Sequence, residues 1–239
     1  MIDVERTVTP DEAETPIRRI AFDRPAARNA LTPSGLETLF DAVVDADEPV
    51  IVLEGRGDAF CAGADLDVVS RLDRDGGREL AELGQRVARA IEACEATVVA
   101  AIDGPAMGGG LELALACDLR VATPRSTFGE PGVTFGLFGA WGGTVRLPRI
   151  VGEGPALDLA LTGRTIDAET ALEMGLIGRI ATEPDEVVAE LAANPPETLS
   201  VLCERIRDGD DAASQEEREA EAFADLVETH REALRALRE

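Results

Sequence analysis

The chain contains no lysine. All 23 of its basic residues are arginine, against 47 aspartate and glutamate residues, and its formal charge at pH 7 is −24. Binding to nucleic acid depends on a net basic surface that neutralises phosphates, so no nucleic-acid partner is expected. A dense acidic surface without lysine is expected of a halophilic protein, which stays dissolved in concentrated salt because the salt screens its self-repulsion.

Histidine and cysteine are scarce. One histidine and four widely separated cysteines provide no Cys/His cluster and no Ser/His/Asp set, which excludes a zinc site or a histidine-based triad, and no metal is expected. His230 lies on an apolar stripe far from the glycine-rich segments, which favours a packing or subunit-contact role over catalysis. The cysteines are predicted to be buried thiols rather than disulfides: Cys61, Cys94, Cys117 and Cys203.

Long apolar runs are absent as well. No run approaches the ~20 residues that a helix needs to cross a bilayer, and the acidic N-terminus does not resemble a signal peptide. We therefore expect no membrane partner and a cytoplasmic location. The 239 residues, of which 45% are hydrophobic, are enough for one sizeable core with a small appendage.

The segment VVAAIDGPAMGGGLELALACDLRV, residues 98–121, is predicted to organise the chain. Its β-branched start indicates a buried strand, a turn follows, and glycines 108–110 precede a run of good helix formers. Glycines at the start of a helix leave backbone N–H groups uncovered, and the helix dipole adds a positive potential, which together suit an oxyanion hole. The alternative is that the glycines only permit close packing of helix and strand.

Glu112 stands in this predicted helix among leucines and alanines. A carboxylate is costly to bury in such surroundings without a partner or a raised pKa, and such placements cluster at reactive sites. We predict that Glu112 is reactive. The alternative is a first-turn glutamate that interacts only with the helix dipole.

Short strands and amphipathic helices alternate along the rest of the chain. Strands are predicted at 2–8, 16–22, 49–54 and 119–122, and a helix is predicted to begin at Pro33 with Thr32 as its cap. Residues 70–78 are predicted to form a mobile loop, with a helix resuming near Arg78. The glycine-rich segment 127–143 is predicted to form loops. Helices follow, and those after Asn194-Pro195-Pro196 are rich in glutamate and arginine.

Five segments together resemble the crotonase family, also called the enoyl-CoA hydratase/isomerase family. They are NAL at 29–31, AFCAGADL at 59–66, AAIDGPAMGGGLELALACDLRVA at 100–122, GGTVRLPRIVG at 142–152 and GPALDLALTGRTIDAETALEMGLIGRI at 154–180. The resemblance implies an α/β fold, a crotonase-like spiral of repeated ββα units with a C-terminal helical region. It places the spiral core at 1–195 and a trimerising helical region at 196–239. It also implies acyl-CoA substrates, a homotrimer or dimer of trimers, and no cofactor besides the CoA of the substrate.

The same resemblance implies an oxyanion hole. In the family the thioester oxygen lies between two peptide N–H groups, which in this sequence are those of Ala64 and Gly109. The argument from the glycines and the resemblance therefore meet at Gly109. Losing one such donor costs about 3 to 4 kcal/mol of transition-state stabilisation.

A CoA-binding segment is implied by the resemblance too. In the family this turn curls around the CoA chain, which here places Ala62, Asp65 and Leu66 close to the adenine and pantetheine. Arg24 and Arg28 are candidates for binding the CoA phosphates, which an acidic protein must attract locally.

The sequence departs from the family at the second carboxylate. Hydratases of the family use one glutamate at the position of Glu112 and another in an F-G-x-P-E segment, which here reads FGEPG, so that Gly132 holds the position of the second glutamate. Glu130 lies two residues earlier. Residues i and i+2 share a face of an extended chain, so Glu130 either supplies the missing carboxylate or points to solvent.

Trp141 replaces a small residue of the family pattern. It either lines the acyl pocket together with Gly132 or fills the core. No ionisable group is present in the segment 139–141, so the sequence offers no further acid or base there.

Our prediction is an enoyl-CoA hydratase, which adds water in syn fashion to a 2-enoyl-CoA in fatty acid metabolism. Glu112 is the expected general acid/base, with Glu130 as a possible helper. One alternative is an isomerase or decarboxylase that uses a single carboxylate. The other is a catalytically silent acyl-CoA-binding subunit.

Overall fold

A computed structural model describes residues 1–9 and 14–237. The chain divides into two compact units, Met1–Ala193 and Asn194–Glu239. In the described residues, the first unit holds both sheets and eight α-helices, and the second unit holds three. No helix of this described part is both long and apolar enough to cross a bilayer.

Two sheets form the frame of the first unit. The six-stranded sheet has the order β1-β2-β3-β4-β6-β9, in which β1 is antiparallel to β2 and the other neighbours are parallel. The small sheet has the order β5-β7-β8, with β5 parallel and β8 antiparallel to β7. The strands are β1 Ile2–Val8, β2 Pro16–Phe22, β3 Val50–Gly55, β4 Thr97–Ile102, β5 Pro105–Met107, β6 Leu119–Ala122, β7 Thr127–Gly129, β8 Thr165–Asp167 and β9 Arg179–Ile180.

Helices follow the strands, and the succession of two strands and a helix recurs along the chain. The α-helices are α1 Pro33–Val44, α2 Leu66–Val69, α3 Arg74–Glu92, α4 Gly109–Ala116, α5 Gly143–Val151, α6 Glu153–Thr162, α7 Ala168–Glu173, α8 Pro184–Ala192, α9 Pro196–Arg207, α10 Ala212–Thr229 and α11 Arg231–Ala236. Two 3-10 helices occupy Pro25–Ala27 and Pro131–Phe135.

The core lies on both faces of the large sheet. Strand β3 is an apolar run because side chains that alternate along it, such as Ile51 and Val52, are buried against helices on opposite faces. One face packs against α1, α3 and α4 and the other against α8. Helix α4 is hydrophobic all round and fully buried, which fixes its N-terminus inside the unit.

Several predicted elements are confirmed. Strands β1, β2 and β6 have the predicted bounds, and Thr32 caps α1, its hydroxyl accepting the N–H of Gly35 at 3.2 Å. The predicted loop over 70–78 is wrong in its second half. Helix α3 begins at Arg74 because the Asp73 carboxylate accepts the N–H of Gly76 at 2.9 Å, a cap that the glycines obscured.

Three further predictions need correction. The segment 127–143 is not all loop, since it holds β7 and a 3-10 helix. The apolar stripe on which His230 was predicted to lie does not follow a single helix, since His230 separates α10 from α11. All four cysteines are free thiols, but Cys94 and Cys203 are half-buried, whereas Cys61 and Cys117 are buried.

Candidate active site

A cavity of about 240 Å³ lies against the N-terminus of α4. The segment that leads into α2 forms one wall, and the 3-10 helix and the chain that follows it form another. Eight of the candidate site residues predicted from the sequence line this cavity: Ala62, Ala64, Leu66, Gly109, Glu112, Glu130, Gly132 and Trp141. The structure thus brings the predicted oxyanion and carboxylate residues together.

Two peptide N–H groups at this cavity are unused. Leu31 donates its N–H to the carbonyl of Gly63 at 2.8 Å and accepts from Asp65 at 2.9 Å, a parallel bridge that skips the N–H of Ala64. Gly109 is the first residue of α4, so its N–H has no acceptor within the helix. Across residues 1–9 and 14–237, no atom accepts a hydrogen bond from either N–H.

The segments that carry these two N–H groups touch. A β-carbon built on Gly63, which has a φ of +86°, would lie 2.7 Å from the nitrogen of Gly109. Glycine is therefore required at position 63 on two counts, its backbone conformation and this close approach. The two free donors thus lie beside each other at the wall of the cavity.

Asn29 fixes the chain that leads to Ala64. Its side-chain amide donates to the carbonyls of Ala59 at 2.7 Å and Phe60 at 3.2 Å, and its own φ of +60° is left-handed. Asn29 belongs to the NAL motif, but no role was predicted for it from the sequence. The signal that could have revealed the role is its position in a tight turn, where asparagine tolerates the left-handed conformation.

Glu112 is 2% exposed and is held by the backbone. Its Oε1 accepts the N–H of Trp141 at 2.8 Å and that of Gly143 at 2.6 Å, which leaves Oε2 outside both bonds. Burial raises the pKa of Glu112 to about 7, although the backbone N–H groups and the positive charge of Arg146 act in the opposite direction. This carboxyl group can therefore gain or lose a proton near neutral pH.

Glu130 does not point to solvent. It is 6% exposed, and neither of its carboxyl oxygens has a hydrogen-bond partner among the described residues. A β-carbon on Gly139 would lie 2.9 Å from Oε2 of Glu130 and 3.0 Å from Oε1 of Glu112, so the two carboxyl groups face each other across this glycine. Burial, and then the negative charge of Glu112, raise the pKa of Glu130 to about 8.

The argument that led to Glu130 from the sequence was wrong in its geometry. A 3-10 helix begins at Pro131, so residues 130 and 132 do not lie on one face of an extended chain. A β-carbon on Gly132 would lie 3.2 Å from both the carbonyl carbon of Leu137 and the Cα of Phe138. The backbone thus crowds position 132, while Glu130 reaches the cavity from the end of β7.

Trp141 is buried and also lines the cavity, so core filling is confirmed and a place in the acyl pocket stays a prediction. Its indole lines the cavity and is buried between two glycines, since a β-carbon on Gly84 or on Gly109 would lie 2.2 Å from the ring. Helices α3 and α4 therefore need glycine at these positions to accept the side chain. The ring thereby packs directly against the residue that carries one of the free N–H groups.

Arg24 and Asp65 form an ion pair. The Arg24 guanidinium donates to Asp65 at 3.0 Å and to the carbonyl of Ala30 at 2.6 Å. Asp65 also caps α2, and the hydrogen bond from Arg24 is the main cause that lowers its pKa. Both side chains are thus engaged in shaping the turn.

Arg28, by contrast, is exposed and pairs with no carboxylate in the described residues. Its carbonyl accepts the N–H of Ala62 at 3.0 Å, which places Arg28 beside the turn. Ala62 and Leu66 line the cavity. Of the two candidate arginines, Arg28 is the one whose guanidinium is available.

A second cavity, of about 420 Å³, shares Glu130, Phe138 and Gly139 with the first. Apolar side chains of α5 and α6, such as Leu147 and Ala156, line it. Glu130 therefore lies on the boundary of both spaces. No three His, Cys, Asp or Glu side chains of the described chain are grouped so that they could hold a metal ion.

His230 lies in the second unit. Its ring nitrogen is 3.2 Å from the Glu197 carboxylate and 3.4 Å from the hydroxyl of Thr198. These contacts link two helices of that unit, α9 and the end of α10. They are consistent with a packing role.

Comparisons with known proteins give a consistent result. The family model of enoyl-CoA hydratase/isomerase matches residues 12–235. Crotonyl-CoA hydratase of Syntrophomonas wolfei subsp. wolfei is 40% identical over 185 residues, which cover 75% of this chain and 71% of that protein. Short-chain-enoyl-CoA hydratase of Clostridium acetobutylicum is 37% identical over 183 residues, which cover 74% and 69%.

A solved structure agrees over almost the whole chain. The crystal structure of enoyl-CoA hydratase from Bacillus anthracis superposes with a TM-score of 0.89 at 31% identity, and covers 99% of this chain and 95% of that one. The predicted α/β fold with C-terminal helices is thereby confirmed.

Proposed function

The chain belongs to the enoyl-CoA hydratase/isomerase family, and from this premise we propose that it is an enoyl-CoA hydratase that adds water to a 2-enoyl-CoA. Relatives named for crotonyl-CoA and short-chain enoyl-CoA hydration support this assignment. The reaction needs no cofactor beyond the CoA that the substrate carries.

The oxyanion hole consists of the N–H groups of Ala64 and Gly109. Addition of water to the β-carbon pushes electrons onto the thioester oxygen, which becomes an enolate oxygen. Two donors that are already fixed in place stabilise that charge without reorganisation, and each contributes about 3 kcal/mol. The absence of a protein acceptor for both N–H groups in the described chain supports this role.

Two carboxyl groups handle the protons. Ionised Glu112 takes a proton from the attacking water, while protonated Glu130 delivers its proton to the α-carbon of the enolate. The product is a 3-hydroxyacyl-CoA, and one proton transfer from Glu112 to Glu130 restores the starting state. The negative charge of one carboxylate raises the pKa of the other in a buried site, which favours one charge and one proton in the pair near neutral pH.

The single observation that carries this proposal is the pair of buried carboxyl groups that face each other across Gly139. Hydration needs a group that activates water and a group that protonates carbon, whereas isomerisation or decarboxylation needs only one. The missing glutamate at position 132 favours a one-carboxylate reaction. The burial of Glu130 opposite Glu112 weighs more, because an unpaired carboxyl group is costly to bury without a function.

Crotonyl-CoA provides the test. Incubation with the protein in high salt should remove the absorbance of the conjugated thioester and yield 3-hydroxybutyryl-CoA. Tight binding of CoA without turnover would instead indicate a silent binding subunit. Conversion of a 3-enoyl-CoA without hydration would indicate an isomerase.

The protein binds the CoA moiety along the Ala62–Leu66 turn, with Arg28 as the residue that attracts the phosphates. A free guanidinium suits a phosphate because it donates two parallel hydrogen bonds. The ion pair between Arg24 and Asp65 stabilises this turn.

The assembly is a homotrimer or a dimer of trimers. Large apolar side chains are exposed on each unit of the single chain, such as Phe138 and Leu161 on the first, and Ile206 and Phe223 on the second. Exposed apolar surface of this kind is typical of an interface. Sedimentation in molar salt would distinguish trimer, hexamer and monomer.

A further inference from the structure

Arg146 is a buried cation that the proposed chemistry does not use. It lies on α5 with 8% of its surface exposed, and its Nη2 donates to the Glu92 carboxylate of α3 at 2.5 Å. Its Nε has no acceptor among the described residues. A buried ion pair between packed helices often stabilises a protein no more than an apolar contact would. The presence of the Arg146–Glu92 pair therefore calls for a reason other than stability.

The Arg146 guanidinium lies against the turn 141–143, whose backbone N–H groups bind Glu112. A β-carbon on Gly142 would lie 2.1 Å from Nη1 of Arg146, and the backbone N–H of Arg146 bonds the carbonyl of Gly142 at 2.9 Å. The residues on either side of this glycine, Trp141 and Gly143, donate the two hydrogen bonds to Glu112. Arg146 therefore packs against the turn that carries both hydrogen-bond donors to Glu112.

The charges that face Glu112 are few. Glu130 lies across Gly139, Arg146 approaches from α5, and the Glu92 carboxylate of α3 accepts a hydrogen bond from Arg146. Strand β5, which also packs against α4, carries no titratable side chain. The other charged side chains of α3 and α5 are exposed, so Arg146 is the one buried cation that these described elements bring to the pair.

We propose that Arg146 is a positioning residue that assigns the negative charge of the carboxyl pair to Glu112 and leaves the proton on Glu130. The proposal rests on the hydratase function. Arg146 acts in two ways, through its charge and through the turn whose N–H groups bind Glu112 Oε1. Glu130 receives neither form of support.

The order of the two pKa values agrees with this assignment. Burial is the largest influence on both groups, but Gly143, Trp141 and Arg146 hold the pKa of Glu112 at about 7. The pKa of Glu130, which lacks hydrogen-bond donors and faces the charge of Glu112, is about 8. Removing Arg146 should raise the pKa of Glu112 and narrow or reverse this order.

Three variants test the proposal: Arg146→Met, Arg146→Lys and Glu92→Gln. The readouts are the pH dependence of kcat/KM and the titration of carbon-13-labelled glutamate carboxyl groups in the substrate-free protein. Arg146→Met should move the acid limb, and the titration of the pair, to higher pH by about one unit, which lowers kcat/KM about tenfold on the acid side. Arg146→Lys keeps the charge and should largely preserve the limb.

Glu92→Gln distinguishes charge from structure. It breaks the same α3–α5 ion pair but leaves Arg146 uncompensated, so the acid limb should move to lower pH, opposite to the shift in Arg146→Met. A loss of activity by the same factor at every pH in both variants, with unmoved titrations, would overturn the proposal. Should the wild type show no hydration, the function would fail, while the carboxyl titrations would still decide the role of Arg146.

Discussion

Two regions of the molecule each bury a glutamate almost completely. One region pairs its carboxylate with arginines, and the other leaves its carboxyl group without a hydrogen bond from the described residues. Glu48, which precedes β3, is 4% exposed, and Arg18 donates to its Oε2 at 2.6 Å while the Arg6 guanidinium lies against Oε1. Glu130 is 6% exposed and receives no hydrogen bond from the described residues. Burial of a carboxyl group alone therefore does not identify a reactive site.

The difference appears in the pKa values. Burial acts to raise the pKa of Glu48, but the hydrogen bond from Arg18, a backbone N–H and the nearby arginine charges hold it below its ordinary value. Burial and the charge of Glu112 raise that of Glu130 to about 8. The carboxylate of Glu48 is paired with two arginines, whereas the carboxyl group of Glu130 has no partner among the described residues, and a raised pKa of this kind marks a candidate reactive group.

The strongest test of this comparison is Glu112→Gln. An amide cannot take a proton from water, so kcat with crotonyl-CoA should fall about 10³-fold while substrate binding changes little, because the side chain keeps its shape. The measurement is the loss of enoyl-thioester absorbance at saturating substrate. A fully active Glu112→Gln protein would remove this residue from the mechanism.

Glu130→Gln should lower kcat about 100-fold and stabilise the folded protein at the same time. A raised folded pKa means that stability is fully present below the ordinary pKa and is lost as pH rises through about 8. The variant escapes this loss, which is ~1.4 kcal/mol for each unit by which the pKa is raised. Urea unfolding at several pH values should therefore show that the variant exceeds the wild type in free energy of unfolding. This difference should grow as pH rises to about 8 and stay constant at higher pH.

An unchanged kcat in Glu130→Gln would assign Glu130 a bystander role and favour a one-carboxylate reaction. A variant less stable than wild type at high pH would contradict the unpaired state of this carboxyl group. Either result would remove the contrast with Glu48.

Glu48→Gln is the matched control. It leaves the Arg18 charge buried without its counter-ion, and should cost about 2 kcal/mol of unfolding free energy at neutral pH with activity unchanged. Because the folded pKa of Glu48 is lowered, its contribution is present above the ordinary pKa and disappears as pH falls through the lower value. The stability gap from wild type should close in acid, which denaturant unfolding can measure.

The exposed carboxylates make up a third class with the smallest effect. They repel one another on a chain of charge −24, and salt screens exposed charges far more than buried ones. Stability should rise by on the order of 1 kcal/mol between dilute and molar salt, equally in wild type and Glu48→Gln. A fall in the melting temperature over this range would refute the halophilic hypothesis.

Local signals were enough to predict part of this architecture. Thr32 and Pro33 mark a helix start through capping chemistry alone, and three glycines before LELALA place Gly109 at the first turn of α4. Glu112 could be predicted as a candidate reactive residue because a carboxylate inside an apolar helix is costly to bury without a partner or a raised pKa.

The remaining features depend on contacts between distant segments. Glu130 turns inward because the chain returns at Gly139 to place both carboxyl groups on either side of that glycine, which a local pattern does not encode. The position of Arg146 at the site could not be predicted from the sequence, because its partners belong to α3 and to the turn before α5. Asp73 was missed as a cap because the glycines at 76 and 77 resembled a loop.

The indole of Trp141 provides the protein with a built-in optical reporter. It is the single tryptophan of a chain without tyrosine, and it packs against Gly109. Its fluorescence therefore comes from one place, next to the Gly109 N–H that we propose as a donor to the thioester oxygen. Emission recorded during rapid mixing with acyl-CoA should follow ligand arrival directly, without any added dye.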